Sequence, residues 1–278
     1  MNNSVNFTAP EASINSTTQS FGQMISLEIC AYIINFLVGV PTHSYVIWLI
    51  ITGTGSGVAS EFFILNLSIC EIGNSLNCLL FVLSNWFSSV FTLLEFLIGL
   101  SVTGRPLFQC LMCVERYLAV VHPVTFLKYK PLRYRVICCT MVWIITFGSC
   151  LWSMLFSFSI NAHIWLISMQ FLLFLSIQLF CLVAVLRALK QSGPGERGRE
   201  RGEENHMKRR AFYLILITTV NMVIIYVPIT ISALFSNLAN LSTQEIWSPS
   251  VICFVLAGFV QPVLYLHRNR KLFCFCSP

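Results

Sequence analysis

The amino-acid sequence predicts an all-α membrane protein, a bundle of seven transmembrane helices, and three observations carry that expectation. The first is composition: 56% of the 278 residues are hydrophobic, only 10% are charged and mean hydropathy is +0.76, far from the averages of soluble domains. The second is segment length. A bilayer hydrocarbon core of roughly 30 Å takes about 20 apolar residues of helix, and the chain supplies seven such runs, near 26–52, 60–84, 90–121, 134–157, 162–189, 209–235 and 247–266. Membrane barrels alternate apolar and polar residues over about ten positions instead, and no such pattern is present. The third is charge. Sixteen of the seventeen Lys and Arg residues fall within 116–135, 187–210 and 268–271, while the polar stretches 84–91, 157–163 and 236–248 contain none. Cytosolic loops collect Lys and Arg, so the basic stretches are assigned to the cytosol and the others to the outside.

Taken in order, residues 1–25 form an extracellular tail rich in Asn, Ser and Thr, with no Lys or Arg ahead of an apolar run. A cleavable signal peptide is therefore not expected, and the first span serves as its own insertion signal. The sequons at Asn2, Asn6, Asn15 and Asn240 all fall on the side that charge assigns to the outside, which makes them candidate glycosylation sites. Asn66-Leu67-Ser68 lies inside the second span and is expected to be silent. Residues 26–266 are the bundle. The second span carries Glu71 and the third carries Arg105, the one Lys or Arg outside the three basic stretches; the third ends on Glu115 and Arg116. Residues 191–204 combine Gly, Pro and charges of both signs and read as a flexible connector, followed by Lys208-Arg209-Arg210 at headgroup level. Pro228 and Pro262 remove backbone hydrogen bonds within the sixth and seventh spans and allow kinks there. Residues 267–278 form a short amphipathic cytosolic tail.

Most of the twelve cysteines lie within spans or at their ends and read as small apolar residues. Cys110-x-x-Cys113 has redox spacing but sits on an apolar helix, where packing is the simpler role. A bridge between Cys30 and Cys253 stays open.

The third span ends Cys113-Val114-Glu115-Arg116-Tyr117-Leu118-Ala119-Val120-Val121-His122-Pro123, and four further motifs accompany it in chain order. These are Leu65-Asn66-Leu67-Ser68-Ile69-Cys70-Glu71, Trp143, Tyr226-Val227-Pro228 and Gln261-Pro262-Val263-Leu264-Tyr265. Over residues 26–276 the chain resembles the rhodopsin-like (class A) G-protein-coupled receptors. Gly39-Val40-Pro41 and Val120-Val121-His122-Pro123 resemble the branch that holds protease-activated and purinergic receptors. The resemblance implies an extracellular ligand and a heterotrimeric G protein as partners. It also implies that Arg116 is released when the sixth helix swings out, opening a cavity for the G protein. Glu115, Arg116, Tyr117, Tyr226, Pro228, Pro262 and Tyr265 would form that switch. The plainer reading of Arg116 is an interfacial anchor. In the tail, Cys274 and Cys276 follow basic residues and resemble palmitoylation sites beside a short eighth helix.

Departures from the family pattern point to a second site. Gln261 stands where the family has Asn in its seventh helix, His43 where the first has Asn, and Glu71 where the second has Asp. Arg105 replaces a small polar residue beside the family's sodium ion. Arg105 lies eleven residues from Arg116 and Glu71 ten from Glu61, which puts both roughly 15 to 17 Å from the cytosolic face. The fold implied by the resemblance makes their helices neighbours. An unpaired charge at that depth costs about 2.5 to 3.5 kcal/mol, so an ion pair is expected, with the guanidinium in place of sodium and His43 and Gln261 completing the cluster. The alternative is that Arg105 snorkels into a hydrated cavity. Two other family features are missing: 84–96 and 157–163 contain no Cys for the usual outer disulfide, and no Pro occurs between Phe171 and Leu189.

The outer halves of the spans hold no Lys, Arg or Asp, and only Glu28, Glu95 and Glu245 near the rim. Nucleotides, carboxylates and amines are disfavoured as ligands, since each needs an opposite charge. Ile98, Ser101, Val102, Trp165, Gln170 and Tyr226 would line a mostly apolar pocket for a neutral or lipid-like ligand, with core packing as the simpler role for most of them. The expected function is a plasma-membrane receptor coupled to a G protein and set in membrane lipid. The departures keep a non-signalling scaffold or decoy open, and mid-depth Glu71, Arg105 and His43 keep a channel or transporter open. No nucleophile and base pair, metal-ligand spacing or phosphate loop points to an enzyme, and no cofactor, metal or nucleic-acid partner is expected.

Overall fold

The computed structural model describes residues 26–53, 58–129, 131–155, 160–190, 198–239 and 244–268, and the regular structure among them is entirely helical. Asn2, Asn6, Asn15, Asn240, Cys274, Cys276 and the expected eighth helix lie outside the described residues. Among the described residues, seven helices are long and apolar enough to cross a membrane: Ser26–Ile51, Glu61–Ser84, Ser88–Val121, Leu132–Leu155, Trp165–Lys190, Lys208–Ser232 and Pro249–His267. The chain is thus a multi-pass membrane protein with the expected seven-helix bundle. Residues 198–204 depart from the flexible connector expected of them. They are the first turns of the helix Gly198–Ala239 that carries the sixth span. Glu and Arg are good helix formers, and extending a helix already fixed by packing avoids the cost of nucleation.

The spans close into a ring: the first packs on the second and seventh, the fifth on the sixth, and the sixth on the seventh. The third runs through the middle and touches the second, fourth, fifth and sixth. Its central position follows from its sequence. Leu100, Ser101, Thr103, Gly104, Arg105, Pro106, Phe108, Gln109 and Cys110 are all buried, so it is enclosed on every side rather than along one stripe. Phe63, Leu67, Phe108, Met112 and Val142 tie it to the second and fourth spans. Phe171, Phe174, Met222, Ile225 and Tyr226 join the fifth and sixth. Outward-facing Trp48, Ile144, Leu172, Phe180 and Ile224 are exposed and face lipid.

Without a water-driven force between helices in lipid, close approach depends on small residues. Gly99 shows this: a Cβ built there would lie 2.5 Å from the Cys150 backbone nitrogen, so only glycine lets the third and fourth spans meet at this level.

Proline shapes the middle of three spans. Pro41 and Pro106 each follow a wide π-turn, Asn35–Gly39 and Leu100–Gly104, because a proline ring clashes with the carbonyl four residues back and carries no N–H. In the third span the Arg105 N–H reaches back to Leu100 O. The carbonyl of Ser101 thereby loses its normal donor, and that of Val102 loses the donor that Pro106 lacks. In the seventh span the helix stops at Ala257 and resumes at Val260, a break that opens four residues ahead of Pro262.

Candidate functional site

The carbonyls left over by these irregular turns organise a polar cluster at the centre of the bundle. Arg105, 1% exposed, donates from Nε to Glu71 Oε1 at 2.5 Å and from Nη2 to Glu71 Oε2 at 2.6 Å. This is the two-pronged geometry that makes a guanidinium and a carboxylate pair strongly. A third donor, Nη1, reaches the Phe254 carbonyl of the seventh span at 3.1 Å. That carbonyl is available because the Gly258 N–H bonds Val255 O instead. The Phe254 ring lies 4.3 Å from the guanidinium carbon, within cation–π range. Around the pair, Asn74 donates from Nδ2 to Glu71 Oε2 at 3.4 Å and accepts at Oδ1 from Ser101 Oγ. Tyr226 Oη donates to the Ser101 and Val102 carbonyls at 3.2 and 3.3 Å, and these are the groups stranded by Pro106.

Of the other residues expected here, His43 is buried on the first span and its Nδ1 has no hydrogen-bond partner. Gln261 bonds elsewhere: its Nε2 donates to Thr218 Oγ1 of the sixth span at 3.3 Å. Its position one residue before Pro262, beyond the break, puts it past the level of the ion pair.

At the basic end of the bundle the Glu115-Arg116-Tyr117 motif is held from several sides. Glu115 pairs with Arg135, a buried residue at the start of the fourth span whose guanidinium lies 6.0 Å from the Phe63 ring. Tyr117 Oη shares a hydrogen bond with His122 Nε2 at 3.0 Å, and its ring meets Phe180 edge-on at 5.6 Å. Tyr265 Oη donates to Glu61 Oε2 at 2.6 Å, joining the seventh span to the second. Trp143 Nε1 donates to Asn66 Oδ1 at 2.9 Å. Pro228 lies inside the sixth helix, and its carbonyl accepts from Ser232 Oγ at 2.7 Å.

These features of the second, third and fourth spans fall within residues 43–163, which match the 7 transmembrane receptor (rhodopsin family). Over those residues the chain is similar to that family. The mouse chemokine XC receptor 1 is 28% identical over 214 residues, covering 68% of this chain and 61% of the mouse protein. The rat atypical chemokine receptor 3 is 26% identical over 123 residues, 42% of this chain and 34% of its own length. The rat uracil nucleotide/cysteinyl leukotriene receptor is 27% identical over 143 residues, 46% of this chain and 41% of that receptor. The chain therefore spans less than two thirds of the length of each of these relatives.

The residues expected to line a ligand pocket are not all together. Trp165 is 63% exposed on the outer surface of the fifth span, where a large ring packs as well against lipid as against protein. Ser101 and Tyr226 are buried, and their hydroxyls are engaged inside the bundle. Gln170 Oε1 accepts from Thr103 Oγ1 at 3.2 Å, and Thr103 also bonds Ser149 at 2.7 Å. Ile98 and Val102 are half-buried. Cys30 and Cys253 are free thiols.

Sequence reasoning missed Arg135, Glu61, Asn74, Phe254 and Thr218. Arg135 had a faint signal. Residues two apart on a helix point to nearly opposite sides, so of Arg133 and Arg135 one had to face inward; Arg133 is exposed and Arg135 is buried. Phe254 had none, since it contributes a backbone carbonyl.

Proposed function

We propose that this receptor carries an extracellular ligand signal to a heterotrimeric G protein at the basic end of the bundle. The observation that carries the reading is the constellation there: Glu115 bound by Arg135, Tyr117 by His122 and Tyr265 by Glu61, with Arg116 between the first two on the central span. Each contact joins one span to another or to a loop, and each can be exchanged when helices shift, which suits a switch with two arrangements. In this reading the chain sits in the plasma membrane with residue 1 outside. Glycans occupy Asn2, Asn6, Asn15 and Asn240, and Cys274 and Cys276 are palmitoylated beside an eighth helix. The ligand is neutral or apolar and meets Ile98 and Val102, since the polar groups of Ser101, Gln170 and Tyr226 bond within the bundle. At mid-depth the Arg105 guanidinium takes the place of the sodium ion that the family resemblance implies there.

The deciding experiment is a subunit-dissociation assay for heterotrimeric G proteins in cells, wild type against Arg116→Ala, with surface expression matched. Dissociation that rises with wild-type expression and vanishes in the variant supports the reading; equal traces reject it. A second reading is a non-signalling receptor. It is favoured by Gln261, whose amide ties the seventh span to Thr218 of the sixth, and by the likeness to an atypical chemokine receptor.

A further inference from the structure

The seventh span is broken at Gly258 and Phe259, and the broken ends are bound to other helices rather than left to close on themselves. Gly258 N–H bonds Val255 O at 3.2 Å and Phe259 N–H bonds Leu256 O at 3.1 Å, a tightened turn that leaves Phe254 O without its α-helical donor. Arg105 Nη1 fills that vacancy at 3.1 Å. On the other side, Asn221 Nδ2 of the sixth span reaches Ala257 O at 3.4 Å. Gly258 faces the ion pair directly. A Cβ placed on it would lie 3.3 Å from Arg105 Nη2 and 3.4 Å from Glu71 Oε2, so the absence of a side chain lets the turn seat against the guanidinium.

From this geometry we infer that Arg105 is a positioning residue for the seventh span: it clamps the break at Gly258 to the second and third spans and holds the lower segment, with Pro262 and Tyr265, in its inward arrangement. The planar fork is what makes this work. Two donors satisfy Glu71 while a third, pointing away, satisfies Phe254 O. An ammonium carries its three donors on one nitrogen, so it cannot keep the two-pronged pair with Glu71 and reach Phe254 O from a separate prong. The clamp is also permanent, because its cation is part of the chain and cannot dissociate. An outward shift of the seventh span must therefore break the Phe254 bond, and this gives the break its resistance. That the clamp restrains signalling rests on the receptor reading above; that it restrains the helix does not.

The test is hydrogen–deuterium exchange by mass spectrometry on the full chain in lipid nanodiscs, read peptide by peptide. It is paired with basal G-protein dissociation in cells. Arg105→Lys keeps a charge opposite Glu71 but loses the fork. The double variant Glu71→Met with Arg105→Met removes both charges and leaves Phe254 O unpaired without a stranded ion. In both, amides in 258–263 should exchange about tenfold faster than wild type, the effect of losing one hydrogen bond from a charged donor, while peptides from the first, fourth and fifth spans stay unchanged. Unchanged exchange in 258–263 in both variants, or a uniform rise across every span, overturns the clamp. Faster local exchange with higher basal dissociation supports the clamp and its control of signalling. Faster local exchange with no dissociation from any variant, wild type included, supports the clamp and removes the G-protein reading alone.

Discussion

Stranding one member of the Glu71–Arg105 pair should be far more harmful than deleting the pair. Both side chains are almost fully enclosed, at 1% and 4% exposure, so a charge left behind by Arg105→Met has no route to water. A buried pair broken on one side typically loses about 3 to 5 kcal/mol, and an unpaired charge at mid-bilayer costs about 2.5 to 3.5 kcal/mol on insertion scales. The two routes agree near 3 kcal/mol. With roughly 2 to 4 °C of Tm per kcal/mol for a domain of this size class, each single variant should melt about 6 to 12 °C below wild type. The double variant keeps similar volumes with no charge, and replacing a buried ion pair by apolar residues is often neutral or stabilising by about 1 to 4 kcal/mol. Here Phe254 O also loses its donor, which costs about 1 to 3 kcal/mol, so the double variant should lie within about 3 kcal/mol of wild type and no lower than the single variants. The assay is a thermal shift on purified protein in one detergent, read as a double-mutant cycle. Additive losses, with the double variant the least stable of the three, would refute the argument, because they would mean that neither charge depends on the other for its neutralisation.

Arg105→Ser leaves Glu71 a carboxylate with room beside it, so its melting temperature should rise when sodium chloride replaces choline chloride, while that of wild type should not; a sodium response in wild type would contradict a guanidinium filling the site. Gln109 is buried with an unpartnered Oε1, and Gln109→Leu should stabilise the fold by about 1 to 2 kcal/mol, measured by the same thermal shift. Gly99→Ala puts a methyl 2.5 Å from the Cys150 nitrogen and should destabilise by about 1 to 3 kcal/mol, seen as reduced surface expression. Arg135→Gln removes the ionic partner of Glu115 and should alter basal G-protein dissociation, with Arg135→Lys close to wild type; identical traces for Arg135→Gln and wild type would show that Glu115 does not depend on it.

The bundle was legible because its determinants are local and additive. Twenty apolar residues are long enough to span a bilayer wherever they stand in the chain. The depth of Glu71 and Arg105 was legible for a related reason: a helix converts residue number into distance, and two opposite charges at one depth have few other places to go. Reading stopped where a contact depends on a backbone irregularity. Pro106 announces that the third helix must deform, but not that the freed carbonyls of Ser101 and Val102 face Tyr226, since that needs the rotation of the sixth helix. Phe254 is opaque in the same way: its ring reads as packing, while its carbonyl matters because a turn four residues on fails to close. Trp165 shows the converse limit. In a lipid-embedded helix an apolar face pointing outward and one pointing into a pocket have the same composition, so hydrophobicity carries no sign of direction. What does carry direction is a polar group that the membrane will not tolerate outside. That is why Arg105, the residue least suited to its surroundings, is the one from which the arrangement of the second, third and seventh spans can be reasoned.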